Sequence, residues 1–329
     1  MSRTLLVYGS VRDPHIKAVC ERLVEEGLNV ALFDPVSECA VCSYTNKDNK
    51  LQFSLTALSY KDMVMQEFTG KENILVWWRN KYNITYFPTP AHQAKYYAAT
   101  EKRVAFEGWL LLNSIPCFND IQKTVFSTNK MIELSTALKV GFNVPGFCIG
   151  GNKNTILSFM RGDANYITKS LKTNFVPPTL SKGNDYKWIL TNEINCAEIE
   201  AASREEVALA PSIIQRRVYK EYEIRYVSFK GKGAGFKFSG LGSAVDWRLS
   251  SQEAEVIRVN LTDEDQEKID QYLGEMGLDY GVFDFIVDEN EVLYFLECNP
   301  DGQWLGYERK LNDSQVISLF VDYVKDIHS

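Results

Sequence analysis

The chain has 329 residues, of which 45% are hydrophobic and 24% are charged, so it is long enough for two or three domains with cores of their own. Its formal net charge of −7 argues against nucleic acid as a general partner, and no apolar run approaches the roughly 20 residues of a membrane span. The N-terminal MSRTLLVYGS does not have the pattern of a signal peptide. We therefore expect a cytoplasmic protein with neither a nucleic-acid nor a membrane partner.

Cysteine and histidine offer little chemistry in this chain. Seven cysteines in a chain of this size do not indicate a disulfide framework, and the single C-x-x-C of Cys39 and Cys42 has no second pair to complete a zinc site. The three histidines are scattered, so a histidine-based nucleophile is not expected.

The N-terminal third has the pattern of a parallel α/β domain. Strands are predicted at 4–9 and 29–33, on either side of a helix over Asp13–Gly27 with apolar residues at helical spacing. A buried strand follows at 74–78, and residues 88–112 are largely helical in pattern. A β-α-β start favours a parallel sheet, although GSVRDP after the first strand lacks the glycines of a dinucleotide-binding turn.

Farther along, one helix gives way to short strands. Thr128 is the predicted N-cap of a helix that runs through Lys139. Strands are then predicted at 166–171, 212–218, 222–229 and 234–239. Thr262 with Asp265 predicts the capped start of another helix, and a final helix is expected over roughly 312–326.

Charge is distributed unevenly over the second half of the chain. Residues 216–237 contain seven basic residues and two acids, whereas residues 251–301 contain fifteen acids and two bases. The basic stretch is either a solvated hairpin or an anion site that faces an acidic metal site. The glycines of KGKGAGF within it lack the ending of a P-loop and indicate a turn.

Near the C-terminus, YGVFDFIV (280–287) and VLYFLEC (292–298) are joined by DENE and form a predicted hairpin. If this four-residue turn is symmetric, Asp284 lies opposite Phe295 and diagonal to Glu297 on one face of the sheet. Diagonal neighbours are about 7–8 Å apart, so one cation can lie between the two carboxylates.

The amide of Asn299 continues the same face, two residues after Glu297. Together with Asp284 these side chains form a set of oxygen donors of the kind that suits Mg²⁺. Asp284 is surrounded by apolar residues, where an unpaired charge is costly, so a solvated hairpin explains it less well than a metal site. A register slip of one residue would separate the two carboxylates.

These strands resemble a known family. YGVFDFIV followed by FLECNPDGQW is similar to the magnesium-binding strands of ATP-grasp ligases, and NPDGQW is close to the N-P-x-G-Q-W of the ligases that make graspetides, which are microviridin-type ω-ester and ω-amide peptides. Five further segments match in order: RDPHIKAVCERLVEEGLNVALFD, VWWRN, TNKMIELSTALKVGFNVP, EIR and DWR.

The resemblance implies an α/β protein with the α+β ATP-grasp fold. An N-terminal parallel-sheet domain of the pre-ATP-grasp type is expected over 1–120. It is expected to be followed by a central ATP-grasp subdomain over 121–210 and a C-terminal subdomain with the metal site over 211–329.

The resemblance also implies roles for single residues. Lys130 and Lys169 match lysines that contact the phosphates of ATP. Arg225 and Arg248 match catalytic arginines aimed at the transferring phosphate and the acyl phosphate, a contact for which arginine is suited.

For the rest of the nucleotide, backbone groups between Gln215 and Val218, including Arg216, match the hinge that binds adenine. Glu223 matches the acid that binds the ribose hydroxyls. The metal ligands implied are those of the hairpin, with Mg²⁺ held by Asp284, Glu297 and Asn299.

The activity implied by the resemblance is an ADP-forming ligase that uses ATP and Mg²⁺. It would activate Glu or Asp side chains of a ribosomal precursor peptide as acyl phosphates and join them to Thr or Ser hydroxyls or Lys amines, giving macrocyclic links. Partners would be a precursor peptide with a leader and an acidic core, and a second copy of the chain. Two alternatives stay open: a ligase that adds free amino acids to a protein tail or small acid, and a nucleotide-binding module without turnover.

Overall fold

The computed structural model describes residues 3–69, 73–79, 90–162, 164–172, 175–176, 187–240, 245 and 254–328. The chain divides into two compact units, one of Met1–Val125 with Gly277–Gly281 and Pro300–Ser329, and one of Phe126–Met276 with Val282–Asn299. Both units contain helices and strands, so the predicted α/β class is confirmed.

The first unit is built on a sheet with a parallel centre. Its first elements are β1 (Thr4–Tyr8), α1 (Pro14–Glu25), β2 (Asn29–Phe33), β3 (Val41–Lys47), β4 (Lys50–Ser59), β5 (Met65–Phe68), β6 (Ile74–Trp78), α2 (Pro90–Asn113), β7 (Cys117–Phe118) and α3 (Ile121–Ser127). The strand order is β3-β4-β2-β1-β6-β7, with β5 beside β4; β1 pairs in parallel with β2, as predicted, and also with β6. The antiparallel strands β3 to β5 were not predicted, because β3 is exposed along most of its length and has few apolar residues.

The described part of the second unit contains two larger antiparallel sheets and a two-stranded antiparallel ribbon. Its elements are α4 (Lys130–Lys139), β8 (Phe147–Gly150), α5 (Lys153–Phe159), β9 (Tyr166–Lys169), β10 (Phe175–Val176), β11 (Lys187–Trp188), β12 (Asn192–Ile194), α6 (Cys196–Ala201), α7 (Arg204–Ala208), β13 (Ser212–Arg216), β14 (Tyr222–Phe229), β15 (Lys232–Ser239), β16 (Glu255–Val259), α8 (Asp263–Met276), β17 (Tyr280–Val287) and β18 (Leu293–Asn299). One sheet has the order β12-β9-β13-β8 and the other the order β16-β15-β14-β17-β18.

The end of the chain returns to the first unit as α9 (Leu305–Leu311) and α10 (Gln315–His328), and α10 packs on α1. The predicted C-terminal segment 211–329 is therefore not one unit, since its last thirty residues pack elsewhere. The boundary predicted near residue 120 lies close to the observed end of the first stretch at Val125. A further division of the second unit at residue 210 stays a prediction.

Two helix starts differ in how well the sequence predicted them. Asn129, and not Thr128, caps α4, because its side chain accepts hydrogen bonds from the backbone N–H groups of Met131 and Ile132. At α8 the expected cap is present, since Thr262 Oγ1 accepts from the N–H of Asp265 at 3.1 Å. None of the described helices is long and apolar enough to cross a membrane, and all seven cysteines are free thiols.

A buried polar network holds the start of α1 in the first unit. Asp13 caps the helix through the N–H of His15 at 2.8 Å, and its other oxygen accepts from Arg79 Nε at 2.6 Å. Nε2 of His15 lies 3.0 Å from the N–H groups of both Trp304 and Leu305 and must accept, so Nδ1 holds the proton and faces Asp13. Burial alone would raise the pKa of Asp13, but the hydrogen bonds from His15 and the Arg79 charge outweigh it and lower the pKa to about 2.

This lowered pKa predicts an acid-dependent loss of stability. The charged form of Asp13 contributes about 2 kcal/mol, fully present above about pH 4 and lost as the pH falls through about 2, so roughly 1 kcal/mol is lost by pH 3. Asp13→Asn keeps a capping side chain but has no charge to lose. In urea unfolding, the stability difference between the native chain and Asp13→Asn should shrink by about that amount between pH 6 and pH 3; an unchanged difference would contradict the network described here.

Candidate active site

A cavity of about 420 Å³ lies in the second unit between its two larger sheets and α4. One part of its wall is apolar, with Pro145, Ile167, Ile213, Ile286 and Leu296. The charged residues of the wall are six cations and three acids: Lys130, Lys169, Arg216, Arg217, Lys220, Arg225, Glu223, Asp284 and Glu297. A half-apolar cavity with excess positive charge suits a ligand that has a flat apolar part and several negative charges.

The predicted hairpin is present, but with a different register. Asp284 pairs directly with Glu297 and not with Phe295. The loop is one residue longer than expected, because Val292 belongs to it, and a bulge at Leu296 adds a second residue. The two shifts together amount to two residues, so the carboxylates still lie on one face, as predicted.

Each of these carboxylates is paired with a side-chain cation. Lys130 Nζ lies 2.7 Å from Glu297 Oε2, and Arg225 donates to both oxygens of Asp284 at 3.2 and 3.3 Å. Lys130 begins α4, whereas Arg225 lies on β14 beside β17. The sequence predicted the four residues at the site, but it did not predict these two pairs.

The two ion pairs give the two carboxyl groups different pKa values. The charge of Lys130 lowers the pKa of Glu297. Burial raises the pKa of Asp284, and the negative charge of Glu297 adds to this, while Arg225 opposes it. The site thus favours one charged and one more readily protonated carboxyl group until a further cation arrives.

A third carboxylate, which the sequence did not single out, lies behind this pair. Glu133 is only 1% exposed, and its carboxylate lies 2.8 Å from Lys130 Nζ and accepts the backbone N–H of Cys298. Burial raises its pKa to about 7. Its spacing of three residues from Lys130 was the available signal, but such pairs are common on exposed helix surfaces.

Lys169 differs from Lys130, Lys220 and Arg225, which are cavity cations paired with a carboxylate. Its amine has no hydrogen bond or ion pair with any residue that the structure describes, although it lines the same cavity. Burial lowers the pKa of Lys169, because the ammonium is poorly hydrated there. A partly buried lysine without a partner is suited to receive an anionic ligand.

The predicted hinge lies along the apolar wall. Gln215 is buried on β13, and the backbone N–H groups of Arg216 and Arg217 donate to Gly146 and Asn165. The N–H of Val218 makes no hydrogen bond within the described residues, and Val218 lines the cavity. Val218 is therefore the residue of this segment whose backbone can donate to a flat ligand edge.

Glu223 is also in the cavity wall, as predicted, two residues before Arg225 on the same face of β14. Lys220 Nζ donates to Glu223 Oε1 at 2.6 Å, a pair that the sequence analysis did not identify. Asn299 pairs with Val282 and follows Glu297 on the same strand face, just outside the cavity wall. Arg248 lies outside the described residues.

The donor set fits a hard divalent cation. Two facing carboxylates and one amide on the same sheet face are the oxygen donors that Mg²⁺ takes along with water and phosphate oxygens. Within the described residues, no three His, Cys, Asp or Glu side chains cluster closely enough to form a metal site alone. The fit therefore depends on Asp284, Glu297 and Asn299 together with oxygens from a ligand.

Comparison with solved structures identifies the fold. A RiPP-associated ATP-grasp ligase of Chryseobacterium gregarium, in complex with ADP and a leader and core peptide, matches 98% of this chain and 97% of its own with a TM-score of 0.82 at 21% identity. The macrocyclase MdnC of Microcystis aeruginosa, bound with the precursor peptide MdnA, matches 99% of this chain and 100% of its own with a TM-score of 0.79 at 18% identity. The ATP-grasp ligase PsnB, complexed with a precursor variant, Mg and ADP, matches 100% of this chain and 100% of its own with a TM-score of 0.73 at 16% identity.

The chain has the ATP-grasp fold. The fold predicted from the strand motifs is thereby confirmed over essentially the whole length. No protein-family model matches the sequence, and no curated protein matches it either.

The isolated amine of Lys169 leads to a prediction with two opposite effects. Lys169→Met removes a poorly hydrated cation, so the variant should unfold at a higher urea concentration than the native chain. If Lys169 contacts a phosphate group, as the resemblance implies, the same variant should lose about tenfold or more in affinity for ADP, because a charge-assisted hydrogen bond would be lost. Calorimetric titration with ADP and urea unfolding measure the two effects.

The control is Lys139→Met, which removes an exposed lysine that pairs with Glu275 on the same unit. It should change neither quantity appreciably. An unchanged ADP affinity in Lys169→Met would show that Lys169 does not contact the nucleotide.

Proposed function

We propose that this protein is an ATP-dependent ligase that joins side-chain carboxylates of a ribosomal precursor peptide to hydroxyl or amino groups of the same peptide. The observation that supports this most directly is the cavity itself. Its lining combines an apolar hinge with a backbone donor, a lysine without a partner among the described residues, and a facing carboxylate pair flanked by cations.

ATP fits the order of these groups along the cavity. In this proposal the adenine lies against the apolar wall and accepts from the N–H of Val218, and Glu223 accepts from the ribose hydroxyls. Lys169 and Lys130 bind the phosphates, as point charges suited to that contact. Gln215 and Arg216 contribute by fixing the hinge strand to its neighbours.

Asp284, Glu297 and Asn299 would hold Mg²⁺, which neutralises charge on the phosphate oxygens. Arg225 lies beside Asp284 and can stabilise the negative charge that develops on the transferring phosphate. Arg248 is assigned the same type of contact by the sequence resemblance alone. Positioning and electrostatic stabilisation are the main contributions that phosphoryl transfer needs from a protein.

The reaction proceeds in two balanced steps. A carboxylate oxygen of the peptide attacks the γ-phosphorus of ATP, giving an acyl phosphate and ADP. A Thr or Ser hydroxyl or a Lys amine then attacks the acyl carbon, phosphate leaves, and the attacking group loses its proton. The peptide loses one water per linkage, and no protein nucleophile is required.

The peptide substrate is inferred from the solved structures of similar fold, in which precursor peptides are bound. Of the lysines of the basic stretch, Lys220 lines the cavity, whereas Lys230, Lys232 and Lys237 do not. Lys230 and Lys232 flank the turn between β14 and β15, about 20 Å along the strand from Glu223, so any contact with an acidic core there would be remote from the reacting groups.

The same proposal includes a homodimer and a cytoplasmic location, where ATP is available. On α2, Tyr97, Val104 and Leu111 are exposed and seven residues apart, which gives an apolar stripe about 21 Å long. A straight stripe of this kind can pair with its own copy across a two-fold axis.

The ligase activity predicts a mass change in the peptide. The protein is incubated with ATP, Mg²⁺ and an acidic precursor peptide encoded beside its gene, and the intact peptide mass is measured. Loss of one water per linkage is expected, and Asp284→Asn should abolish it. An unchanged mass with ADP release on addition of a free amino acid would favour a ligase for free amino acids, and neither product would leave only nucleotide binding.

The dimer contact predicts a change of oligomeric state. Val104→Glu places a charge in the middle of the stripe and should convert a dimer to a monomer in sedimentation velocity. Val64→Glu is the matched control, because Val64 is 53% exposed and Val104 is 55% exposed in the same unit. A dimer that persists in Val104→Glu would exclude this face of α2 as the contact.

A further inference from the structure

The buried carboxylate of Glu133 has two partners in the second unit. One is the backbone N–H of Cys298, which lies between Glu297 and Asn299, and the other is Lys130 Nζ at 2.8 Å. The first contact needs only an acceptor, which a neutral amide oxygen would supply equally well. The second contact is the one that needs a charge.

A buried charge is costly unless it is paired, so the choice of a carboxylate at this position calls for a reason. Lys130 already has another carboxylate partner, because Glu297 lies 2.7 Å away from it. For the stability of the pair Lys130–Glu297 alone, Glu133 would be superfluous.

The reason lies in what happens to Glu297 when a divalent cation binds. Lys130 and the cation would then compete for the same carboxylate oxygens, and an ammonium close to a divalent cation is repelled. A lysine with a single carboxylate partner would therefore resist metal binding. A lysine with a second carboxylate on its other side can keep one partner while it gives up the other.

We propose that Glu133 is a positioning residue that retains Lys130 when Glu297 takes up the metal. This inference rests on the function proposed above. Glu133 also holds the strand at Cys298, so that the neighbouring side chains stay on the cavity face. It acts through Lys130 and the backbone, and it contacts neither substrate nor metal.

The test is binding of Mn²⁺ without nucleotide, followed by electron paramagnetic resonance, in a double-mutant cycle of Glu133→Gln and Lys130→Met. Glutamine still accepts from Cys298 but leaves Lys130 with Glu297 as its one carboxylate partner among the described residues. Glu133→Gln should bind Mn²⁺ about tenfold more weakly than the native chain. In the Lys130→Met background the same change should alter the affinity less than twofold.

Two outcomes would overturn the proposal. The first is a native affinity in Glu133→Gln. The second is the same loss in both backgrounds, since Glu133 would then act on the cation directly and not through Lys130. If the melting curve shows that Lys130→Met does not fold, Lys130→Gln takes its place in the cycle.

The control is Glu275→Gln, which removes the carboxylate partner of Lys139 at the far end of α4 and should leave Mn²⁺ affinity unchanged. Failure of the proposed function looks different from failure of this inference. A native chain that binds neither Mn²⁺ nor ADP would refute the function, whereas native binding with no effect of Glu133→Gln would refute the inference alone.

Discussion

The constraint on which the site depends is that two facing carboxylates in a half-apolar cavity must be neutralised. Asp284 and Glu297 lie directly opposite each other on β17 and β18, and in the absence of a bound cation they repel. The chain resolves this with its own cations, Arg225 for one carboxylate and Lys130 for the other. The resemblance assigns the same two cations to phosphate, so ligand binding in the proposed site would be an exchange of partners in which the carboxylates hold the metal and the cations hold the phosphates. Such an exchange would couple the affinity for the metal to the affinity for the nucleotide.

The hairpin shows how far the sequence alone could go. Alternation in YGVFDFIV and the motif FLECNPDGQW placed both carboxylates and Asn299 on one face, and that placement holds. The pairing was wrong, because the connection has five residues with Glu291 in a left-handed conformation, and because Leu296 forms a bulge. Neither feature has a clear sequence signal here, since Glu291 is not glycine and Leu296 is an ordinary strand residue. The predicted face is nevertheless correct, because a register shift of one residue turns a side chain to the other face of the sheet and a second such shift turns it back.

What the sequence could not indicate is which charged residues become buried. Glu133 and Lys220 both occur three residues from an opposite charge, a spacing that usually marks a solvated pair. Their importance arises from tertiary packing: α4 lies against β18, and the end of β13 leads into β14 at the rim of the cavity. In the first unit the same limitation applies to Asp13, whose role as a helix cap is readable but whose pairing with Arg79 joins residues 66 positions apart. Hydrophobic periodicity predicts which face of a helix or strand is buried, but it does not predict which residues pack against that face.

The three lysine environments around α4 and β9 show how the chain distributes electrostatic cost. Lys139 is exposed with one partner and contributes little; Lys130 has two carboxylates; Lys169 has no partner among the described residues and a lowered pKa. If the site were organised for stability alone, the second carboxylate would be better placed beside Lys169, where it would relieve an unpaired charge. Its position beside Lys130 leaves Lys169 ready for an anion and keeps Lys130 in place after Glu297 changes partner. Lys169 thus has fewer carboxylate partners among the described residues than stability favours, and Lys130 has more. This is the pattern expected where ligand binding, and not folding, has determined the arrangement of charges.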